Sequence, residues 1–307
     1  MTDPRTPIAS MEGVTKRFGA TVALNDVDFQ CFPGEVHAIL GENGAGKSTL
    51  MKTISGVLRP TEGLVCAEGQ PANFKSPADA LAAGFVCMYQ ELSLVPDLTV
   101  RENLLLGAPG SGLGRLNKAP LMRARQVLDQ IDGQGIRFGA KVADLTLAER
   151  QQVEVAKALI RDPKLLILDE ATSALNSSVV EKVFDLVRAE RDKGVAVLFI
   201  SHRFHEIEAL ADRISVFRNG ARVETFTNGA HDYAAIINMM VGQRIEELFP
   251  AKTPPDKTHG TFWRSMALHG APRCNRHPLP SNQARSWALA DWTGKGNPPC
   301  CKASSGC

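Results

Sequence analysis

The sequence predicts an α/β fold built on a mainly parallel sheet. Three observations support this prediction: short apolar runs of strand length, helical patterns between them, and a glycine-rich loop that joins one run to a helix. Unbroken apolar runs are typical of parallel strands whose two faces are both covered. The expected strands of this kind are 36–40, 85–89, 165–168 and 195–200.

The early part of the chain predicts a strand, a turn and the start of a helix. Apolar residues alternate at Val27, Phe29 and Cys31, and the Pro-Gly pair that follows indicates a turn before the strand at 36–40. After the glycine-rich loop, residues 47 to 56 carry apolar side chains at helical spacing. The predicted order is therefore strand, loop, helix.

Two regions depart from the alternation of strands and helices. Residues from about 91 to 160 have mostly helical patterns, which we interpret as an inserted helical subdomain. Asn219-Gly220 lies between two apolar runs and supplies the positive φ angles of a tight hairpin turn. We expect this hairpin and the early strands to form a small antiparallel β subdomain.

Composition divides the chain near residue 250. Residues 251 to 307 hold eight Lys or Arg residues against two acidic residues, so the first 250 residues are net acidic although the whole chain carries +2. With 44% hydrophobic residues, the first part can bury a sizeable core. We therefore expect one domain over 1–250 and a separate basic tail over 251–307. The chain shows no apolar run long enough to span a bilayer and no signal peptide at its N-terminus, so a cytoplasmic location is expected.

A glycine-rich loop at residues 41 to 49 fits the pattern GxxxxGK[ST]. In such a loop, backbone N–H groups surround phosphate oxygens, and the helix that follows directs the positive end of its dipole at the same charge. We expect Lys47 to reach the β and γ phosphates and Ser48 to bind Mg²⁺. The pattern predicts a P-loop NTPase fold. The predicted nucleotide-binding residues are Gly41, Glu42, Asn43, Gly44, Ala45, Gly46, Lys47, Ser48 and Thr49.

Two acidic residues follow the apolar strand at 165–168. In a phosphate-binding protein of this kind, Asp169 would hold Mg²⁺ and Glu170 would polarise an attacking water. Taken alone, the pattern also fits an ordinary strand that ends in a solvated acidic turn. The phosphate loop earlier in the chain favours the catalytic interpretation.

Seven motifs, in one order, resemble the nucleotide-binding domain of ABC transporters over residues 8 to about 250. Besides the two motifs above, Phe18 is similar to the aromatic residue that stacks on adenine, Gln90 to the Q-loop glutamine, and His202 to the switch histidine. Residues 173–176 resemble the D-loop. The segment in the place of the LSGGQ signature, which we call the signature segment, consists of Leu145, Thr146, Leu147, Ala148 and Glu149.

The resemblance implies an ATPase that works as a dimer. Two such domains pack head to tail, so that ATP at one phosphate loop is capped by the signature segment of the other, where Thr146 supplies a hydroxyl. Glu170 is then the general base, His202 stabilises charge that develops on the γ-phosphoryl group, and Gln90 is the third implied catalytic residue. ATP and Mg²⁺ are the implied cofactors. The implied metal ligands are Ser48, Gln90 and Asp169.

Three segments, 95–103, 153–159 and 239–242, resemble the monosaccharide importer branch of this family. The resemblance implies transmembrane permease subunits as partners, a second nucleotide-binding domain in a homo- or heterodimer, and an indirect link to a periplasmic sugar-binding protein. It also implies a peripheral position at the cytoplasmic face of the inner membrane. A role with nucleic acid is disfavoured, because residues 1–250 are net acidic and show no basic stripe.

The signature segment departs from the family pattern. Leu147 and Ala148 replace glycines, and Glu149 replaces a glutamine. A carboxylate beside a triphosphate repels it unless it points to solvent. We therefore expect weak capping by this segment. If Ala148→Gly with Glu149→Gln gained nothing in ATP-dependent dimerisation or turnover, this hypothesis would fail. Asn176 also replaces the aspartate of the D-loop, which removes one charge that could link the two sites.

Residues 251 to 307 do not resemble the family. They hold all three tryptophans, four of the seven cysteines and seven of the eighteen prolines, a composition not expected to build a core. ATP-binding subunits of this branch usually resemble two such domains fused in one chain. Our hypothesis is therefore that residues 251 to 307 are an out-of-frame or foreign segment that replaces a second domain. The alternative function is then a truncated product that binds ATP without driving transport. A basic interaction tail remains an alternative. A zinc site is another, from Cys274, His277, Cys300 and Cys301.

Overall fold

The computed structural model describes residues 5–107 and 118–242. The chain divides into two units, Met1–Pro250 and Ala251–Cys307, and every described residue lies in the first unit. The predicted tail, including its tryptophans and the candidate zinc ligands, lies outside the described residues. Our hypotheses about the tail therefore stay predictions.

Strands and helices alternate along most of the described chain. The strands are β1 (Ala9–Phe18), β2 (Thr21–Cys31), β3 (Val36–Leu40), β4 (Glu62–Ala67), β5 (Gln70–Pro71), β6 (Phe85–Met88), β7 (Leu165–Asp169), β8 (Ala196–Ile200), β9 (Arg213–Arg218) and β10 (Ala221–Thr227). The helices are α1 (Lys47–Ile54), α2 (Pro77–Ala82), α3 (Val100–Leu105), α4 (Lys118–Gln130), α5 (Leu147–Leu159), α6 (Ser177–Asp192), α7 (Phe204–Leu210) and α8 (Tyr233–Val241). A 3-10 turn, Val142–Asp144, precedes α5.

The larger sheet has six strands in the order β10-β9-β3-β8-β7-β6. All neighbouring pairs in it are parallel except β9 with β10. Side chains on its two faces enter two different core clusters; in β3, for example, Ala38 belongs to one cluster and Ile39 to the other. Burial on both faces explains why these strands are unbroken apolar runs. The predicted α/β fold with a mainly parallel sheet is confirmed.

The smaller sheet is antiparallel, with the order β2-β1-β4-β5. The small antiparallel subdomain is therefore present, but the prediction that it includes the hairpin after residue 213 is wrong. The hairpin turn forms as expected, with φ of 51° at Asn219 and 78° at Gly220. However, β9 pairs in parallel with β3 in the larger sheet, because Ile214, Val216 and Phe217 are almost fully buried and need cover on both faces.

The region predicted as mostly helical contains α3, α4 and α5 among its described residues. Capping boxes begin α3 at Thr99 and α5 at Thr146, where each threonine accepts a hydrogen bond from the N–H of the glutamate three residues later. The boundary of a separate helical subdomain at about 91–160 stays a prediction. Within the described ranges, no helix has both the length and the apolarity needed to cross a bilayer.

Candidate functional site

The carboxyl ends of four neighbouring strands bring most of the predicted site residues to one edge of the larger sheet. β3 ends at the phosphate loop, β8 ends before His202, β7 ends at Asp169, and β6 ends two residues before Gln90. Parallel strands point their carboxyl ends the same way, so residues far apart in sequence meet there. This edge is where open α/β sheets bind ligands.

The phosphate loop connects β3 to α1 and is held closely by the rest of the fold. Ala45 N–H donates to the Glu42 carbonyl at 3.1 Å, and Gly220 N–H donates to the Ala45 carbonyl at 3.1 Å. At Gly46, φ is +103° and a Cβ would lie 2.6 Å from the Ala23 carbonyl oxygen, so only glycine fits. The hairpin turn at Gly220 therefore supports the loop from outside.

Most of the other residues of this loop are open to solvent. Glu42, Asn43, Gly44 and Ser48 are exposed, and α1 begins at Lys47 with its free N–H groups at this end. An exposed serine hydroxyl at the start of the helix is available to a metal ion. Thr49 lies in the first turn of α1, where its backbone carbonyl accepts a hydrogen bond from Thr53 Oγ1 at 2.7 Å.

Lys47 turns its ammonium back over the loop. Its Nζ donates to the carbonyl oxygens of Gly41 at 2.7 Å and Glu42 at 2.9 Å. Burial lowers the pKa of Lys47, and the nearby carboxylates of Asp169 and Glu170 act in the opposite direction. Two carbonyls of the loop thus hold the lysine ammonium against the loop backbone.

Glu170 lies between two of the other predicted catalytic residues. Gln90 Nε2 donates to Glu170 Oε2 at 3.0 Å, and His202 Nδ1 lies 3.1 Å from Glu170 Oε1. The backbone of Glu170 has φ of +50°, a left-handed conformation that is uncommon outside glycine. Such strained positions cluster at functional sites, where the surrounding structure holds them. The Glu170 side chain keeps 24% of its surface exposed, and that of His202 keeps 65%.

Asp169 is the last residue of β7 and is largely buried. Its pKa is raised to about 6, first by burial and next by the Glu170 carboxylate, while Lys47 opposes the shift. Ionising Asp169 is unfavourable because it is buried beside a second carboxylate. A divalent cation bound there would favour the ionised forms of both groups.

The signature segment begins α5 with a capping box. Glu149 Oε2 accepts from Thr146 N–H and from Thr146 Oγ1, each at 2.8 Å, and Glu149 N–H donates to Thr146 Oγ1 at 3.3 Å. The hydroxyl proton of Thr146 is therefore already engaged by the glutamate. Leu147 is 61% exposed and Ala148 packs partly against the core. No hydrogen bond within the described ranges joins Leu145–Glu149 to the phosphate loop.

Phe18 and Asn176 each lie at the end of a secondary-structure element. Phe18 ends β1 and is 48% exposed, with Lys16 Nζ 5.2 Å from the centre of its ring. An exposed ring of this kind is available to a planar ligand. Asn176 is the N-cap of α6 and accepts from Val179 N–H at 3.0 Å.

Gln151 follows the signature segment closely in sequence, and the sequence patterns assigned it no role in the site. It is buried near the start of α5, and its Nε2 donates to the Glu170 carbonyl at 3.3 Å and to Ser173 Oγ at 3.3 Å. Its Oε1 accepts from Ala174 N–H at 2.9 Å. The helix that carries the signature segment is thus bonded to the loop that carries Glu170. A polar residue among the buried positions of α5 was the available signal.

Comparisons with known proteins identify relatives of this chain. Residues 24–173 match the ABC transporter family. The ribose import ATP-binding protein RbsA 1 of Rhizobium johnstonii is 47% identical over 247 residues, which cover 80% of this chain and 48% of that protein. The corresponding RbsA 2 of Escherichia coli O157:H7 is 43% identical, with 80% of this chain and 48% of that protein covered. The chain thus spans about half the length of these curated relatives.

Solved structures with the same fold support the match. A nucleotide-free ATP-binding cassette from an ABC transporter superposes with a TM-score of 0.66 and is 26% identical, covering 79% of this chain and 99% of that chain. An ATP-binding cassette of an ABC transporter in its ADP conformation gives the same TM-score and identity over 77% of this chain.

Proposed function

The chain belongs to the ABC transporter family, and from this premise we propose that it binds and hydrolyses ATP to power import of a sugar through membrane permeases. The observation that carries the proposal is the contact of Gln90 and His202 with the two oxygens of Glu170, at the sheet edge that also holds the phosphate loop. The relatives named as ribose import ATP-binding proteins support the sugar class.

The proposed reaction divides its tasks among residues of this edge. Lys47 and the N-terminus of α1 hold the β and γ phosphates, and Phe18 stacks on the adenine ring. Glu170 takes the proton of the attacking water while the bond from the γ phosphorus to the bridging oxygen breaks. ADP and phosphate are the products. His202, in contact with Glu170, then offsets the charge on the γ-phosphoryl oxygens.

Mg²⁺ fits the donor set at the end of β7. A bound Mg²⁺ would neutralise charge on the β and γ phosphates. Ser48 is exposed at the start of α1, and Asp169 has a raised pKa that a cation would lower again. Gln90 donates to Glu170 in this structure, so it would bind the metal through its amide oxygen while its Nε2 remains on Glu170. Our proposed ligands are these three residues.

We propose that the domain acts as a dimer in which the signature segment faces the nucleotide of a second nucleotide-binding domain. The Thr146 hydroxyl is committed to Glu149 in this structure, which supports the expectation of weak capping. To contact a phosphate, Thr146 must give up this bond or Glu149 must turn away. The other proposed partners are transmembrane permeases and, through them, a periplasmic sugar-binding protein. This assembly implies a peripheral position at the cytoplasmic face of the inner membrane.

The similarity to import ATP-binding proteins favours this role over a product that binds ATP without driving transport. The first test is nucleotide binding by the unaltered chain and by Lys47→Ala, measured with a fluorescent ATP analogue and Mg²⁺. Lys52→Ala, a lysine of α1 beyond the phosphate loop, is the matched control. We expect Lys47→Ala to lose most of its affinity and Lys52→Ala to keep it. Equal affinity of Lys47→Ala and the unaltered chain would exclude the proposed site.

The transport role needs a second experiment, in which this chain is reconstituted with candidate permease subunits and a sugar-binding protein. We expect ATP hydrolysis by the reconstituted assembly to rise when ribose is supplied with the binding protein. With Glu170→Gln we expect hydrolysis to lie far below the basal rate of the unaltered assembly, with or without ribose. If ribose leaves hydrolysis unchanged while other monosaccharides raise it, the sugar is different. If no sugar raises it, the import role fails.

A further inference from the structure

Glu206 is a fully buried carboxylate to which the proposed mechanism assigns no task. It lies in the first turn of α7 and is 1% exposed. Burial of a carboxylate is costly unless donors fill its oxygens. The groups that fill them come from the two loops that carry Glu170 and His202.

Three side chains donate to Glu206. Thr172 Oγ1 lies 2.9 Å from Oε2 and 3.0 Å from Oε1, Ser201 Oγ donates to Oε2 at 2.6 Å, and Arg203 Nη1 donates to Oε1 at 3.1 Å. Two further bonds tighten this group: Arg203 N–H donates to Ser201 Oγ at 3.0 Å, and Arg203 Nη2 donates to the Ser173 carbonyl at 3.3 Å. We call Glu206, Thr172, Ser201 and Arg203 the carboxylate clamp.

The clamp joins two loops on either side of the catalytic contact. Thr172 follows Glu170 by two residues, and Ser201 and Arg203 are the immediate neighbours of His202. The side chain of His202 is 65% exposed, and its Nδ1 lies 3.1 Å from Glu170 Oε1. Because few neighbours surround the ring, the distance between these two atoms depends mainly on the position of the His202 backbone. The position of that backbone is set on both sides by bonds that end on Glu206.

We propose that Glu206 is a positioning residue that sets the distance between Glu170 and His202 during ATP hydrolysis. The inference rests on the proposed function and deepens it. Apolar residues of similar volume often match or exceed a buried ionic group in stability, so a buried charge by itself is weak evidence for a stabilising role. A shared acceptor does what an apolar residue cannot do, because its bonds fix the directions of the groups that approach it.

The contacts that hold the carboxylate clamp differ from those that hold the phosphate loop. The phosphate loop packs closely against the Ala23 carbonyl and is bonded to the hairpin turn and to its own carbonyls. None of the hydrogen bonds described for these groups involves Glu206. Loosening the clamp should therefore slow the chemical step without weakening ATP affinity. A general loss of structure would change both.

The test uses the full chain with Mg²⁺ and ATP and compares four proteins. These are the unaltered chain, Glu206→Gln, Thr172→Val, which removes one donor with little change of shape, and Glu208→Gln as control. Glu208 lies on the same helix but is exposed. The measurements are kcat and KM for phosphate release, the Kd for a fluorescent ATP analogue, and the thermal unfolding midpoint.

We expect kcat to fall roughly tenfold or more in Glu206→Gln, since small misplacements of catalytic groups cost up to about a hundredfold. Thr172→Val should lower kcat by a smaller factor. KM and Kd should stay within about twofold in both variants, and Glu208→Gln should match the unaltered chain. If Glu206→Gln does not fold, Thr172→Val carries the same test.

Two results would overturn the inference. One is a kcat of Glu206→Gln or Thr172→Val equal to that of Glu208→Gln. The other is a parallel change of kcat, Kd and unfolding midpoint, which would make the clamp structural only. If the unaltered chain itself bound ATP but released no phosphate, the proposed ATPase function would fail and this inference with it.

Discussion

Acidification is expected to destabilise this domain through one buried histidine, His37 of β3. The ring is fully buried. Its Nδ1 lies 3.1 Å from the Gln30 carbonyl, and its Nε2 lies 2.8 Å from Ser215 Oγ. A neutral ring satisfies both contacts, with Nδ1–H as donor and Nε2 as acceptor. A proton added at Nε2 would require the serine to accept instead.

The charges around the ring also oppose protonation. The pKa of His37 falls from an ordinary 6.5 to about 3, first because of burial and next because of Arg213, with Arg222 adding to the effect. Glu35 Oε1 lies 3.7 Å from Nδ1, but Glu35 is also paired with Arg5 and Arg213. The described neighbours therefore favour the neutral ring.

The size of the effect follows from linkage. Between the two pKa values the unfolded chain binds a proton that the folded chain does not, so stability falls as pH falls below 6.5. At pH 5 this linkage costs about 2 kcal/mol, and most of it is absent at pH 8. That loss is a substantial part of the stability of an ordinary domain.

The assay compares urea unfolding at pH 8 and pH 5 for the unaltered chain and His37→Gln. Titration of all other groups is common to both proteins, so the difference between their pH dependences isolates His37. We expect the unaltered chain to lose about 2 kcal/mol more than the variant. Equal losses would refute the argument. So would an NMR titration in which the His37 ring gains its proton near pH 6.5, a measurement that does not need the variant to fold.

Three other predictions concern the candidate site. Glu170→Gln should bind ATP normally but release phosphate roughly 10²- to 10⁴-fold more slowly, the usual contribution of a general base; unchanged turnover would remove Glu170 from that role. Thr146→Ala removes the N-cap of α5, and we expect urea unfolding to show a loss of about 1 kcal/mol. An unaltered free energy of unfolding would mean that the cap contributes nothing. Gly46→Ala should abolish nucleotide binding, because the new Cβ would lie 2.6 Å from the Ala23 carbonyl oxygen, whereas Gly44→Ala meets nothing within 4 Å. Both glycines have left-handed backbones, so equal binding by the two variants would contradict the close-contact argument.

Features carried by consecutive residues could be predicted from the sequence. The phosphate loop needs glycines, a lysine and a hydroxyl within nine positions, and the strand before it and the helix after it are visible as local periods. The predicted turn at Asn219-Gly220 formed for the same reason, since its φ angles depend on the two residues themselves. The ends of the predicted strands differ from the observed ends by at most one residue, as at β6 and β8.

Contacts between distant segments could not be predicted in this way. Gln90 and Glu170 are 80 residues apart, and His202 and Glu170 are 32 apart, so their meeting depends on the order of the strands in the sheet. The hairpin after residue 213 shows the limit directly. Its local pattern indicated two paired strands but did not say which sheet they join.

By itself, then, the sequence determined that a phosphate-binding loop, an acidic strand end and a set of family motifs occur in a fixed order. The tertiary structure decided that Gln90 and His202 share Glu170, that Gln151 reaches the same loop, and that Glu206 ties its neighbours together. The physical reason is that a residue's backbone preferences and periodicity act over a few positions. Burial and hydrogen bonding, in contrast, depend on whichever segments the fold brings alongside.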